Sequence, residues 1–143
     1  MSYDLREVSA KAAIYNLEGT KILMMVYGGG TAHGLPGGHV DKGETPDEAI
    51  ARELSEELGL RDVELTPATF FVRGPGGAAP HDDKIILGYV ARIDEQTPLV
   101  FASSEFQEYG VWLDKSSIEK LENLPAGYLS FALENWPSVK KQP

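Results

Sequence analysis

The stretch 45–59, TPDEAIARELSEELG, constrains the fold more than any other, because it spells out both ends of one helix. Thr45 stands three residues before Glu48, the spacing of a capping box, and Pro46 takes the first helical position, where a missing N–H costs nothing. Gly59 can turn left-handed without a Cβ clash and so supplies the stop. At ~100° per residue, Ile50, Ala51, Leu54 and Leu58 fall on one arc, the face expected to be buried. Glu53, Glu56 and Glu57 fall on the neighbouring arc with only Ala49 among them.

Carboxylates three and four residues apart on a helix repel. One account is a solvated acidic face, relieved by Arg52 four residues before Glu56, since exposed charges are readily solvated. The other is a hard-cation site: Mg²⁺ takes oxygen ligands at about 2.0–2.1 Å and is held by one or two carboxylates plus waters and substrate phosphates. With His39 the lone imidazole of this stretch, Mg²⁺ or Mn²⁺ suits the set better than zinc. His39 is expected to be structural or substrate-facing.

A resemblance favours the cation. Residues 38–60 resemble the signature of the Nudix hydrolase family, G-x5-E-x7-R-E-U-x-E-E-x-G-U with U aliphatic, at every specified place: Gly38, Glu44, Arg52, Glu53, Leu54, Glu56, Glu57, Gly59 and Leu60. Seven fixed residues at ~5–7% usage each make a chance match on the order of one in 10⁸ per starting position.

The resemblance implies hydrolysis of a nucleoside diphosphate linked to a further group X, by attack of water at a phosphorus of the pyrophosphate. Glu53, Glu56 and Glu57 would hold the cations, with a carbonyl of Gly37 or Gly38. The catalytic set is Glu53, Arg52 and Glu57, with Glu53 as general base, Arg52 orienting Glu53 or Glu56, and Glu44 supporting the metal site from behind. Nudix proteins usually add a glutamate from a late loop, and the candidates are Glu105 and Glu108. Strand alternation commits Glu108 to the face of Phe106 and Trp112, whereas Glu105 follows two serines at the strand's mouth and is the favoured ligand.

The group X is read by residues outside the signature. Tyr27, His33, His39, Phe71 and Arg73 are the substrate-binding candidates; Phe106, Tyr109 and Tyr128 are further rings on which a base could stack. The wording PGGHVDKGE resembles members acting on nucleoside triphosphates, so a (deoxy)nucleoside triphosphate or related nucleotide is the expected substrate. His39, however, stands where oxidised-nucleotide sanitising members often carry lysine. Pro75 is placed as in ADP-ribose hydrolysing members. ADP-ribose, nucleotide sugars and dinucleoside polyphosphates are therefore the alternative substrates, and a non-catalytic nucleotide sensor is the alternative class.

Around the signature, runs 9–15 and 21–27 read as a hairpin across a five-residue link. Gly28, Gly29 and Gly30 lack phosphate-loop spacing and read as a flexible loop. Strands are expected over 63–72, 84–93 and 106–113, the second buried on both faces because its apolar run is nearly continuous. Asp114 or Ser116 caps a short helix through Leu121, and a last helix spans 129–136. The glycine-rich stretch 74–80 is expected to be a mobile loop closing over the substrate, and 140–143 a frayed tail. The pattern alone is α+β with a mixed β-sheet. The resemblance, covering 9–136, sharpens it to an α/β/α sandwich in a single domain spanning 1–143.

Composition narrows the partners. A net charge of −9 opposes nonspecific nucleic-acid binding, which needs basic surface, so an anionic substrate needs a local positive feature. The absence of cysteine excludes disulfides, thiolate metal sites and a cysteine nucleophile. The charged N-terminal stretch is not a signal peptide, and no run approaches the ~18 apolar residues of a membrane helix. A cytoplasmic location with no membrane partner is the expectation, with a homodimer as the candidate assembly.

Overall fold

The computed structural model describes residues 7–73, 84–101 and 108–138, with 70–73 described by their backbone. Ten elements follow in order: β1 (Glu7–Asn16), β2 (Lys21–Tyr27), β3 (Ala32–Gly34), β4 (Gly37–His39), α1 (Pro46–Leu58), β5 (Thr66–Arg73), β6 (Lys84–Ile93), β7 (Tyr109–Asp114), α2 (Lys115–Glu119) and α3 (Ala126–Glu134). The expected loops 74–80 and 140–143 fall outside the described residues, as do Phe106 and Glu105.

The seven strands form one mixed sheet in the order β3-β2-β1-β6-β5, with β4 also on β1 and β7 also on β2. Among the described residues only β1 and β6 run parallel, and they pair along their full length from Glu7 opposite Lys84 to Asn16 opposite Ile93. A parallel pair needs a crossover, and α1 lies within it. The β1–β2 link is held by Asn16, whose side-chain oxygen accepts from the N–H groups of Thr20 (2.8 Å) and Lys21 (3.0 Å).

Alternation on β1 separates two cores. Ala10, Ala12 and Ile14 face α1 together with Leu23, Met25, Tyr89 and Ala91. Ala13 and Tyr15 face the opposite way, with Ile22, Met24 and Ile86, against Ile118 of α2 and Tyr128, Phe131 and Ala132 of α3. The expected α/β/α sandwich is therefore observed, and β6 contributes to both cores. At about 1.5–3 kcal/mol for each large apolar side chain fully buried, these layers are the main force fixing the sheet under α1. Gly88 marks where β6 meets α3: a Cβ there would lie 2.4 Å from the Phe131 ring. The Tyr15 hydroxyl donates to the Ala132 carbonyl at 2.6 Å, and Trp136 packs edge-on against the Tyr15 ring while its Nε1 donates to Gly19 O at 2.9 Å.

Several boundaries differ from expectation. The last helix begins at Ala126, behind Pro125 with no side-chain cap, so the usual Ser, Thr, Asp or Asn start signal is missing. Asp114 does cap the short helix, accepting from Ser117 N at 2.8 Å, but that helix ends at Glu119. β5 starts at Thr66 rather than 63, after a turn in which Asp62 takes a positive φ of 57°. Among the described residues no helix is long and apolar enough to cross a membrane.

Candidate active site

Helix α1 has the anticipated ends. Thr45 accepts from Glu48 N, Glu48 reaches back to Thr45 N, and Gly59 closes the helix at φ 66°. Its buried face needs one correction: Ala49 is buried with Ile50, Leu54 and Leu58, whereas Ala51 is exposed. Residues 49, 53 and 57 repeat every four and share a face, so burying Ala49 turns Glu53 and Glu57 toward the sheet.

There they meet β4, which is hydrogen-bonded to the first half of β1 through the pairs Ser9–His39, Ala10–Gly38 and Lys11–Gly37. Gly38 lies directly against the Glu53 carboxylate; a Cβ would fall 2.6 Å from both its carbon and Oε1. Gly37, at φ 135°, has no room either, because a Cβ would stand 2.0 Å from the Ala10 carbonyl oxygen. The two glycines make a floor on which carboxylates rest without intervening side chains.

Glu57 is largely withdrawn from water. Burial pushes its carboxyl up to about 8, with the Glu53 hydrogen bond and charge adding to the shift, while the Lys11 ammonium and a hydrogen bond from the Gly37 backbone oppose it. Its Oε2 is buried without a hydrogen-bond partner. A carboxylate oxygen left so costs about 1–3 kcal/mol or more.

Arg52 braces the other side. Its Nε and Nη2 donate to the two oxygens of Glu44 at 2.7 and 3.0 Å, its Nη1 donates to Glu53 Oε1 at 3.1 Å and Glu56 Oε2 at 3.2 Å, and its Nη2 also reaches the His39 carbonyl at 3.1 Å. Asp41 Oδ2 lies 3.3 Å from the same guanidinium. The Arg52 bond, then a bond from Asp41 N, hold the Glu44 carboxyl down at about 2. Arg52 thus contacts both of its expected partners, Glu53 and Glu56.

The three helix glutamates do not form a finished cage. Glu56 is 59% exposed and turned to Arg52, whereas the side chain of Glu53 is 16% exposed. Among the described residues no three acidic or histidine side chains converge as a ready cation cluster. The donor set nevertheless fits a hard divalent ion: a hydrogen-bonded pair of carboxylic groups, one oxygen of which is buried without a partner, offers the oxygen ligands such an ion takes.

Of the substrate candidates, Tyr27 feels the charges of this pair. Burial first, then the charges of Glu57 and Glu108, the neighbouring Tyr128 and the charge of Glu53, keep its hydroxyl protonated. That brings Glu108, the less favoured of the two late glutamates, into the electrostatic neighbourhood of the site. The His33 backbone N–H donates to the Asn123 carbonyl at 3.0 Å, and the buried ring Nδ1 has no hydrogen-bond partner. The His39 ring is half exposed, 4.0 Å from Glu7 Oε2. Phe71 and Arg73 lie on β5, opposite Ile86 and Lys84 and two strands from β4's partner β1. Tyr128 is core and Tyr109 is exposed. Lys11 was not among the sequence candidates; its signal was a lone charge within the apolar run of β1.

Residues 5–132 match the NUDIX domain family. The chain is 32% identical over 85 residues to an RNA pyrophosphohydrolase of Sulfurovum sp. (strain NBC37-1), covering 52% of this chain and 54% of that protein. It is 33% identical over 78 residues to the mouse (Mus musculus) bis(5'-nucleosyl)-tetraphosphatase [asymmetrical], covering 54% and 52%. The chain thus spans about half the length of these curated relatives. In fold it is similar to the MutT NUDIX hydrolase from Burkholderia pseudomallei, with a TM-score of 0.74 at 23% identity over 94% of this chain and 100% of that one. With the family match spanning nearly the whole chain and the signature residues gathered on one helix and its glycine floor, this protein belongs to the NUDIX domain family.

Proposed function

We propose that the protein is a divalent-cation-dependent pyrophosphohydrolase acting on nucleotides with a polyphosphate chain, nucleoside triphosphates foremost. The observation that carries this reading is the buried Glu57 oxygen without a partner, held beside Glu53 above Gly37 and Gly38. Glu53, Glu56 and Glu57, with a carbonyl of the glycine floor, would hold Mg²⁺ or Mn²⁺, and Glu105 or Glu108 would add a carboxylate from the late loop. A bound cation of this kind neutralises phosphate oxygens and lowers the pKa of a bound water.

The chain's own groups do the rest. Glu53 accepts a proton from the attacking water as general base. Oxygen from that water bonds to phosphorus, and the bridging P–O bond breaks with its electrons on the departing phosphate. Arg52 holds Glu53 and Glu56 in place through Nη1, and Glu44 holds Arg52. Tyr27, beside the carboxylates, and His33 on β3 offer polar and aromatic groups to the nucleotide, with His39 at the rim. Phe71 and Arg73 would take part only by reaching in from β5. One curated relative is named a pyrophosphohydrolase and the other a tetraphosphatase, which supports a substrate carrying a chain of phosphates.

The test is phosphate and pyrophosphate release from a panel of nucleoside triphosphates, 5'-triphosphorylated RNA, dinucleoside polyphosphates, nucleotide sugars and ADP-ribose, with Mg²⁺ and with chelator. Turnover of the polyphosphates in Mg²⁺ alone is expected, with Glu56→Gln and Glu57→Gln lowering kcat by roughly 10²-fold or more. Nucleotide binding without turnover of any compound would instead make the domain a sensor.

A further inference from the structure

We propose that Lys11 is a positioning residue of this site: by holding the Gly37 carbonyl it restrains the glycine whose N–H bonds Glu57, and so sets how well the carboxylate pair receives a divalent cation. The proposal rests on the reading of the site as a cation centre.

Lys11 and Gly37 are direct partners across β1 and β4. The Lys11 Nζ donates to Gly37 O at 3.1 Å in a partly buried position. At its other end the Gly37 backbone N–H is hydrogen-bonded to Glu57, and the Lys11 ammonium also favours the charged form of that carboxylate. One residue therefore joins the ammonium to the carboxylate through its own backbone. Glycine at φ 135° has no side chain to restrain it and loses more freedom on ordering than any other residue, so its orientation has to come from its neighbours. The strand ladder supplies part of this on either side, through Ala12 N to Pro36 O at 2.9 Å and Val40 N to Val8 O at 3.0 Å. Lys11 supplies it at the glycine itself.

Charge points the same way. Burying an ammonium in an apolar strand is costly unless it is paired, and β1 otherwise carries only uncharged residues between Val8 and Asn16. Arg52 is committed on the opposite flank, to Glu44, Glu53 and Glu56. The carboxylate pair is thus braced by two cations with different tasks: Arg52 grips side chains, and Lys11 grips the floor.

Mn²⁺ titration followed by electron paramagnetic resonance, without substrate, reads the site directly in wild type, Lys11→Met, Lys11→Arg and Glu57→Gln. Lys11→Met should weaken Mn²⁺ binding by about tenfold or more, as loss of a group supporting a ligand does. It should also lower kcat while leaving KM within roughly twofold, with thermal melting close to wild type. Lys11→Arg, which restores charge and donors, should recover most of the affinity. If Lys11→Met does not fold, Lys11→Gln takes its place under the same criteria. Unchanged Mn²⁺ affinity overturns the proposal, and so does tighter binding, which would make Lys11 a mere competitor of the cation. Wild type binding no Mn²⁺ would overturn the cation-centre reading and this proposal together. Binding lost in Glu57→Gln but kept in Lys11→Met overturns the role of Lys11 alone.

Discussion

Gly38→Ala adds one methyl group at the point where the helix carboxylates meet the sheet. The new Cβ would stand 2.6 Å from the Glu53 carboxyl carbon and Oε1 and 2.9 Å from Oε2, whereas carbon atoms in contact prefer about 3.5–4.0 Å. Glu53 must therefore retreat by about 1 Å. It cannot do so freely, because Arg52 Nη1 holds its Oε1 at 3.1 Å and Glu57 lies against it. A displacement of that size in a catalytic constellation costs about 10²-fold, equivalent to about 2.7 kcal/mol of activation free energy. The main chain is not strained by the change, since Gly38 lies outside the positive-φ set, so the melting temperature should fall by no more than about 8 °C. Gly37→Ala is the contrasting control: at φ 135°, with backbone oxygen 2.0 Å from the new Cβ, it should damage the fold itself. Both variants are assayed for Mg²⁺-dependent phosphate release and for thermal unfolding. Wild-type kcat in a folded Gly38→Ala protein would refute the placement of Glu53 against the glycine floor.

Two further outcomes follow from the helix and its brace. Thr45→Ala removes the cap bond to Glu48 N and should cost about 1 kcal/mol in chemical denaturation, with an unchanged cap-variant midpoint arguing that α1 is held by packing alone. Glu44 has its carboxyl held down at about 2 by Arg52; a lowered folded-state pKa contributes stability that is complete above the ordinary carboxylate range and is lost as pH falls toward 2. The melting temperatures of wild type and Glu44→Gln should accordingly differ by a constant amount from pH 5 to 8 and converge between about pH 4.5 and 2; a gap that persists at the acid end would contradict the Arg52 pairing.

The parts of this fold that could be read from residues are those that local chemistry decides. Capping box, proline and glycine placed α1 correctly at both ends, and β2 and β6 span the apolar runs that announced them. Which arc of α1 is buried depended on the sheet instead: periodicity places Ala51 on the apolar arc and Ala49 among the glutamates, and the choice between them is settled by where β1 and β4 lie. The three-residue strands β3 and β4 have no pattern of their own and exist because β2 and β1 offer them edges. The same holds within the site. Arg52 and the helix glutamates were legible from helix spacing and Glu44 from the resemblance to the family signature, while Lys11 enters only through cross-strand register with Gly37, and Glu108, the less favoured late candidate, is brought near the site through Tyr27.

The central claim is that Glu53 and Glu57 on their glycine floor form a divalent-cation site that serves pyrophosphate hydrolysis. Calorimetric titration of Mg²⁺ into the folded protein, in wild type and in Glu57→Gln, tests it without presuming a substrate. Saturable binding in wild type that is weakened by about tenfold or more in Glu57→Gln, with both proteins melting as folded species, is the predicted result. Equal Mg²⁺ binding by the two, or none by wild type, would contradict it.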